Sequence, residues 1–148
     1  MQIARWLHLL GIVVWVGGMF FAHMALRPSV QALAPPQRLP LLAATLARFL
    51  AWVAVAVVAI LASGFAMIAM MGGFAAANHW VASMAAAGLV MVAIYLYLVA
   101  LPFRQLRAAV SASDWPRGGA AMQRIRHLVA VNLVLGIVVV TFGVLARG

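Results

Sequence analysis

Four histidines are the residues of this chain whose type and spacing could support chemistry. His8 and His23 lie in the first apolar stretch, while His79 begins the third and His127 the fourth. On one helix, His8 and His23 would be about 22 Å apart and would share a broad face. We therefore expect one pair, His8 with His79, at one end of a helical bundle. A second pair, His23 with His127, is expected at the other end.

Two histidines that face each other from neighbouring helices are typical axial ligands of haem b. Such ligation leaves no open iron position, so the haem transfers electrons and does not bind oxygen. Arginines near the His23–His127 pair could neutralise the haem propionates through charge-assisted hydrogen bonds. The candidates are Arg27, Arg48, Arg104, Arg107, Arg124 and Arg126.

The first hypothesis is therefore a small cytochrome b-like protein with one or two haems. It would pass electrons within or across a membrane, with a quinone or another redox protein as its partner. The sequence leaves open whether the chain is an enzyme of the oxidoreductase class, and it identifies no catalytic residue.

Methionines support a second chemistry at the His8–His79 end. Met67, Met70 and Met71 lie near the end of the second apolar segment, and Met84 lies about one turn beyond His79. Thioether and imidazole ligands together favour Cu(I). The alternative hypothesis is therefore a copper-binding or copper-transport protein that uses His8, His79 and these methionines. A further alternative is a structural membrane subunit without a cofactor.

Composition excludes several classes of protein. Hydrophobic residues make up 68% of the chain and charged residues only 7%, which is far from a soluble domain and indicates an integral membrane protein. The absence of cysteine excludes disulfides, thiolate metal sites and iron–sulfur clusters. The single acid, Asp114, lies outside the apolar segments. This argues against a hydrolytic metal site and against proton pumping.

The elements that must position these residues are four apolar segments long enough to cross a bilayer. The predicted spans cover about 6–26, 49–71, 79–101 and 127–146. We expect a single all-α domain, an up-and-down transmembrane four-helix bundle. Gly72-Gly73 is expected to end the second helix, and Pro102 to stop or kink the third.

The arginines indicate an orientation in the membrane. The net charge is +9, and most arginines fall in two connections, 27–40 and 103–126. The positive-inside rule places these loops in the cytoplasm and both termini on the other side. We therefore predict a multi-pass protein of the bacterial inner membrane whose immediate partner is the lipid bilayer. The pattern indicates no nucleic-acid binding, and it is compatible with a homo-oligomer.

The first helix also resembles a known family. The segment Trp6-Leu7-His8-Leu9-Leu10, followed by Trp15-Val16-Gly17-Gly18-Met19-Phe20, resembles the opening of copper resistance protein D (CopD) proteins. It is similar, too, to the related HemJ-type membrane proteins, which are protoporphyrinogen oxidases. The resemblance covers about 25 residues.

Each side of this resemblance implies a different function. The CopD side implies a helical inner-membrane protein that handles copper, and the HemJ side implies haem binding and oxidation of a tetrapyrrole. His8 is the matching residue in both cases. The chain contains no Lys, on which HemJ-type proteins depend, and Arg27-Pro28 replaces their usual Pro-Arg order. His23, His79 and His127 rest on their positions and not on the resemblance.

Overall fold

The computed structural model describes residues 1–146, and over this range the chain is all-α. The helices are α1 (Gln2–Ala32), α2 (Pro35–Met70), α3 (His79–Ala100), α4 (Pro102–Ser111) and α5 (Trp115–Leu145). Four helical stretches are long and apolar enough to cross a membrane, because α3 and α4 together form one of them. The predicted all-α class and the four apolar helices are confirmed. Arg147 and Gly148, which follow the fourth predicted span, lie outside the described residues.

Many large apolar side chains point outward from the helices. Trp52 is 65% exposed, Val58 68% and Val134 61%. In water such a surface would be a strong aggregation liability, whereas in a bilayer it is the expected contact with lipid tails. The exposure pattern therefore supports membrane embedding independently of the length of the helices.

Helix boundaries follow from local sequence. Pro35 and Pro36 occupy the first turn of α2, where a missing backbone N–H leaves no hydrogen bond unmade. Helix α2 ends before Gly72 and Gly73, which both have positive φ angles (98° and 86°) that glycine adopts without strain. The Asn78 side chain caps α3 by accepting a hydrogen bond from the Val81 backbone N–H at 3.0 Å.

The connection expected at 103–126 is largely helical. Helix α3 stops at Leu101, whose φ and ψ angles leave the helical region, and Pro102 begins α4. Asp114 then caps α5 by accepting a hydrogen bond from Arg117 N at 3.1 Å. Pro116 falls in the first turn of α5, where it starts a helix and does not break one. The predicted span 127–146 is therefore the second part of a longer helix.

The helices pack around two adjoining apolar cores. Helix α1 packs mainly on α2, while α3 and α4 pack on α5. One core contains Leu39, Leu46, Leu50, Leu98, Leu106 and Ile125, and the other contains Trp15, Met19, Val53, Met91 and Leu133. Polar contacts in this interior also join the helices, one half-buried and one buried. Tyr95 OH donates to Leu50 O at 2.9 Å, and Asn132 Nδ2 donates to Met91 O at 3.3 Å.

Candidate functional site

His8 is fixed by contacts with α2. Its Nδ1 lies 3.1 Å from the Ile60 carbonyl oxygen and 3.1 Å from Ser63 Oγ. Because a carbonyl oxygen can only accept, the bond to Ile60 requires the proton on Nδ1. The lone pair is then on Nε2. This is how proteins orient a histidine that binds a metal, with one ring nitrogen held by a neighbour and the other free.

Helix α2 provides both a partner and a space for the His8 ring. Ser63 is buried, and its single hydroxyl hydrogen is directed at carbonyl oxygens of its own helix, at Ala59 and Ile60, so its oxygen accepts from His8 Nδ1. A Cβ atom on Gly64 would lie 3.3 Å from His8 Cε1, which is a tight contact. Ser63 and Gly64 are functional candidates that sequence reasoning missed, since no spacing in the sequence pairs them with His8.

His8 lines a cavity of about 190 Å³ between α1, α2, α3 and α5, which we name the His8 cavity. Its wall is almost entirely apolar apart from His8. Four methionines contribute to it: Met67 from α2, Met71 directly after α2, and Met84 and Met91 from α3. The donors that surround this space are therefore one imidazole and thioether sulfurs.

The predicted site at this end is assembled only in part. His79 is exposed, stacks against Trp80 with ring centroids 4.6 Å apart, and does not line the His8 cavity. Met70 is 52% exposed and is also absent from the wall. Met91, which sequence reasoning did not include, lies seven residues after Met84 and so shares its helix face. That spacing was the available signal.

A second cavity of about 290 Å³ lies between α1, α2 and α5. We name it the Arg cavity, because Arg27, Arg38 and Arg126 line it together with His23. The two cavities use different parts of each helix: on α2, for example, the His8 cavity uses residues between 60 and 68 and the Arg cavity uses residues between 38 and 49.

The predicted pair His23 and His127 does not share a cavity wall. His23 lines the Arg cavity, whereas His127 is exposed and is not part of its wall. Of the predicted propionate partners, Arg27 and Arg126 line the cavity, but Arg48 and Arg104 are exposed elsewhere. Arg124 Nη1 instead donates to Gln105 Oε1 of α4 at 3.3 Å. Haem ligation by His23 and His127 stays a prediction.

The ligand atoms available at the His8 cavity limit which metals could bind there. Within residues 1–146, no three or more His, Cys, Asp or Glu side chains form a group that could hold a metal ion. A hard cation such as Mg²⁺ or Ca²⁺ needs oxygen ligands, and structural zinc usually takes four His, Cys or carboxylate ligands. Only a soft cation that accepts thioethers fits the ligands of the His8 cavity.

Comparison with known proteins identifies a family for most of the chain. Residues 43–146 match the family described as copper resistance protein D (CopD). No curated protein and no solved structure shows a significant match. The matched region contains Met67, Met71 and Met84, while the resemblance of the first helix, with His8, lies outside it. The two similarities are therefore carried by different residues, and the match over residues 43–146 shows that the chain belongs to the CopD family.

Proposed function

We propose that this protein binds Cu(I) as cargo in the His8 cavity and handles copper at the membrane. The observation that supports the proposal is the hydrogen bond of His8 Nδ1 to the Ile60 carbonyl oxygen, which leaves Nε2 free to bind a metal. Met67, Met71 and Met84 line the same cavity and supply soft sulfur donors. Membership of the copper resistance protein D family supports the same metal.

The chemistry of the cavity suits a monovalent soft cation. Cu(I) binds imidazole and thioether ligands, and a thioether carries no charge. A site made of neutral donors also leaves no unpaired charge in the membrane when the metal is absent, which limits the cost of keeping the site empty. Such a site is consistent with a cargo ion that must enter and leave.

We also propose the orientation of the protein in a bacterial inner membrane. Eight of the ten arginines lie at or near the connections between α1 and α2 and between α3 and α5: Arg27, Arg38, Arg48, Arg104, Arg107, Arg117, Arg124 and Arg126. The positive-inside rule places these connections in the cytoplasm. In an up-and-down bundle, the His8 cavity is then nearer the non-cytoplasmic face and the Arg cavity nearer the cytoplasm.

Competition titration of purified, reduced protein against a coloured Cu(I) chelator tests the copper site. His8→Ala should weaken Cu(I) binding by about a hundredfold, because even the loss of a group that only orients a ligand costs 10–100-fold. Met67→Leu combined with Met71→Leu should also weaken binding, since Leu keeps the volume but removes both sulfurs. Met70→Leu is the matched control, because Met70 does not line the cavity. Equal Cu(I) affinity in wild type and His8→Ala would contradict the proposal.

The visible spectrum of the same preparation tests the haem hypothesis, which the His23 side chain and the arginines of the Arg cavity favour. A haem held by two histidines gives an intense Soret band and sharp visible bands on reduction. These bands should disappear in His23→Ala and in His127→Ala if both residues are ligands. Colourless protein that binds copper supports the proposed function alone, and colourless protein that binds neither supports the structural subunit.

A further inference from the structure

The Arg cavity collects positive charge from three helices. Arg27 comes from α1, Arg38 from α2 and Arg126 from α5. Arg27 and Arg126 are close enough for their charges to repel each other. Arg38 is held in place, since its Nη1 donates to Gln31 Oε1 at 3.3 Å and to Leu33 O at 3.5 Å. Like charges around one space are unfavourable unless an anion compensates them.

No acidic side chain of the protein supplies that anion at the Arg cavity. Asp114 is its single acid, and the carboxylate of Asp114 caps α5 through Arg117 N and does not line the Arg cavity. An anion bound from another molecule would therefore compensate these charges. The same three arginines repel a cation, which separates this cavity chemically from the proposed copper site.

The remaining wall of the Arg cavity indicates what kind of anion fits. Gln31 and Gln123 add hydrogen-bonding side chains near the arginines. Most of the other lining residues are apolar, among them Phe21, Leu42, Leu46, Phe49 and Val129. A small hydrated anion would leave this apolar surface against water. A molecule with a phosphate group and a hydrocarbon chain would satisfy both parts of the wall.

We propose that the Arg cavity binds one anionic phospholipid. Arg27, Arg38 and Arg126 hold the phosphate through charge-assisted hydrogen bonds, which guanidinium groups form in a geometry that matches phosphate oxygens. An acyl chain lies along the apolar wall near Phe21 and Phe49. Basic pockets between membrane helices bind anionic lipid headgroups in this way. The proposal uses none of the residues of the copper site and stands independently of it.

Native mass spectrometry of the protein in a neutral detergent tests this site with phosphatidylglycerol and phosphatidylcholine as probes. We expect one tightly bound phosphatidylglycerol and much weaker binding of phosphatidylcholine. Arg27→Gln combined with Arg126→Gln should weaken phosphatidylglycerol binding by about tenfold or more. Arg104→Gln combined with Arg117→Gln is the matched control, because it removes the same charge from two exposed arginines outside the cavity. The control variant should change phosphatidylglycerol binding by less than about twofold.

Thermal unfolding of the same proteins distinguishes a loss of lipid binding from a folding defect. Added phosphatidylglycerol should raise the Tm of wild type and of the control, but not that of the cavity variant. Equal losses of binding in both double variants would overturn the proposal, since they would indicate attraction to net charge alone. It would also be overturned if inorganic phosphate displaced the lipid at similar concentration, or if phosphatidylcholine bound equally well.

Discussion

At the scale of single residues, His8 shows how a side chain becomes a candidate ligand through its neighbours. His23 also lies on the apolar helix α1. Of the two, only His8 is held by a carbonyl oxygen and a hydroxyl of another helix. The partners Ile60 and Ser63 are more than 50 residues away in sequence. The chemistry expected of His8 therefore depends on contacts that only the fold creates.

The fit of the His8 ring against Gly64 gives a prediction at this scale. Gly64→Ala places a Cβ atom 3.3 Å from His8 Cε1, so the ring must shift and its hydrogen bonds to α2 must weaken. We expect Cu(I) affinity to fall by about tenfold, as for other groups that orient a metal ligand. The measurement is the same chelator competition.

Gly88→Ala is the control for this substitution. Gly88 lines the same cavity from α3, but no atom lies within 4 Å of a Cβ built there. The Cu(I) affinity of the Gly88→Ala variant should match that of wild type. If both alanine variants lose affinity equally, cavity volume and not the position of the His8 ring controls binding.

At the scale of the elements, the helices are longer than the apolar segments predicted. Proline and polar caps start helices inside the predicted connections 27–40 and 103–126, as at Pro35 and at Asp114-Trp115-Pro116. Helix α1 also contains two π-helical stretches, Val13–Gly17 and Ala22–Leu26. Such turns change the angle between residues, so a calculation for a regular helix cannot fix how His8 and His23 are related.

The contact between α1 and α2 gives a prediction at this scale. A Cβ atom on Gly11 would lie 2.6 Å from Ile60 Cγ1 and 3.1 Å from the Ala56 carbonyl oxygen. Small residues let membrane helices approach closely. Gly11→Ala should therefore force the helices apart and lower the free energy of unfolding by about 1–3 kcal/mol, as overpacking does elsewhere. Denaturation in detergent followed by circular dichroism measures the change.

Gly17→Ala provides the comparison for the packing of α1. Nothing lies within 4 Å of a Cβ atom at Gly17, so the alanine is free to improve helix propensity without a clash. We expect stability equal to wild type or slightly higher. If Gly17→Ala lowered the free energy of unfolding as much as Gly11→Ala does, glycine would matter to α1 for a reason other than close contact with α2.

At the scale of the whole molecule, charge is distributed very unevenly. Arg5 and Arg147 are the only arginines near the termini, and the other eight lie towards the connections between the helices. The positive-inside rule relates this asymmetry to insertion, because basic loops are retained in the cytoplasm. The same asymmetry produces the Arg cavity, where some of these charges also meet inside the bundle.

Reporter fusions test the orientation. Alkaline phosphatase fused after Gly148 should be active, since that enzyme folds only outside the cytoplasm, and phosphatase inserted after Ser113 should be inactive. Reversing the orientation should require removal of several arginines from the connections, such as Arg104, Arg107 and Arg117 together. Phosphatase activity in the 112–114 connection, with none at the C-terminus, would contradict the proposed topology.

The sequence by itself determined the class of the protein. Four apolar segments with almost no charge leave helices in a bilayer as the stable solution, because backbone groups must be paired where water is absent. The helix ends at Gly72-Gly73 and Pro102 could also be predicted from the sequence, since glycine and proline act locally on the backbone. The first-helix resemblance predicted the CopD family, which the match over residues 43–146 confirms.

Only the tertiary structure decided which of these residues meet. It placed Met84 and Met91 in the wall of the cavity that His8 lines, left His79, Met70 and His127 outside the two cavities, and gathered arginines from three helices. The rotation of each helix about its axis determines these neighbours. In a chain that is apolar on every face, hydrophobic periodicity carries little information about that rotation, because lipid and core accept the same side chains.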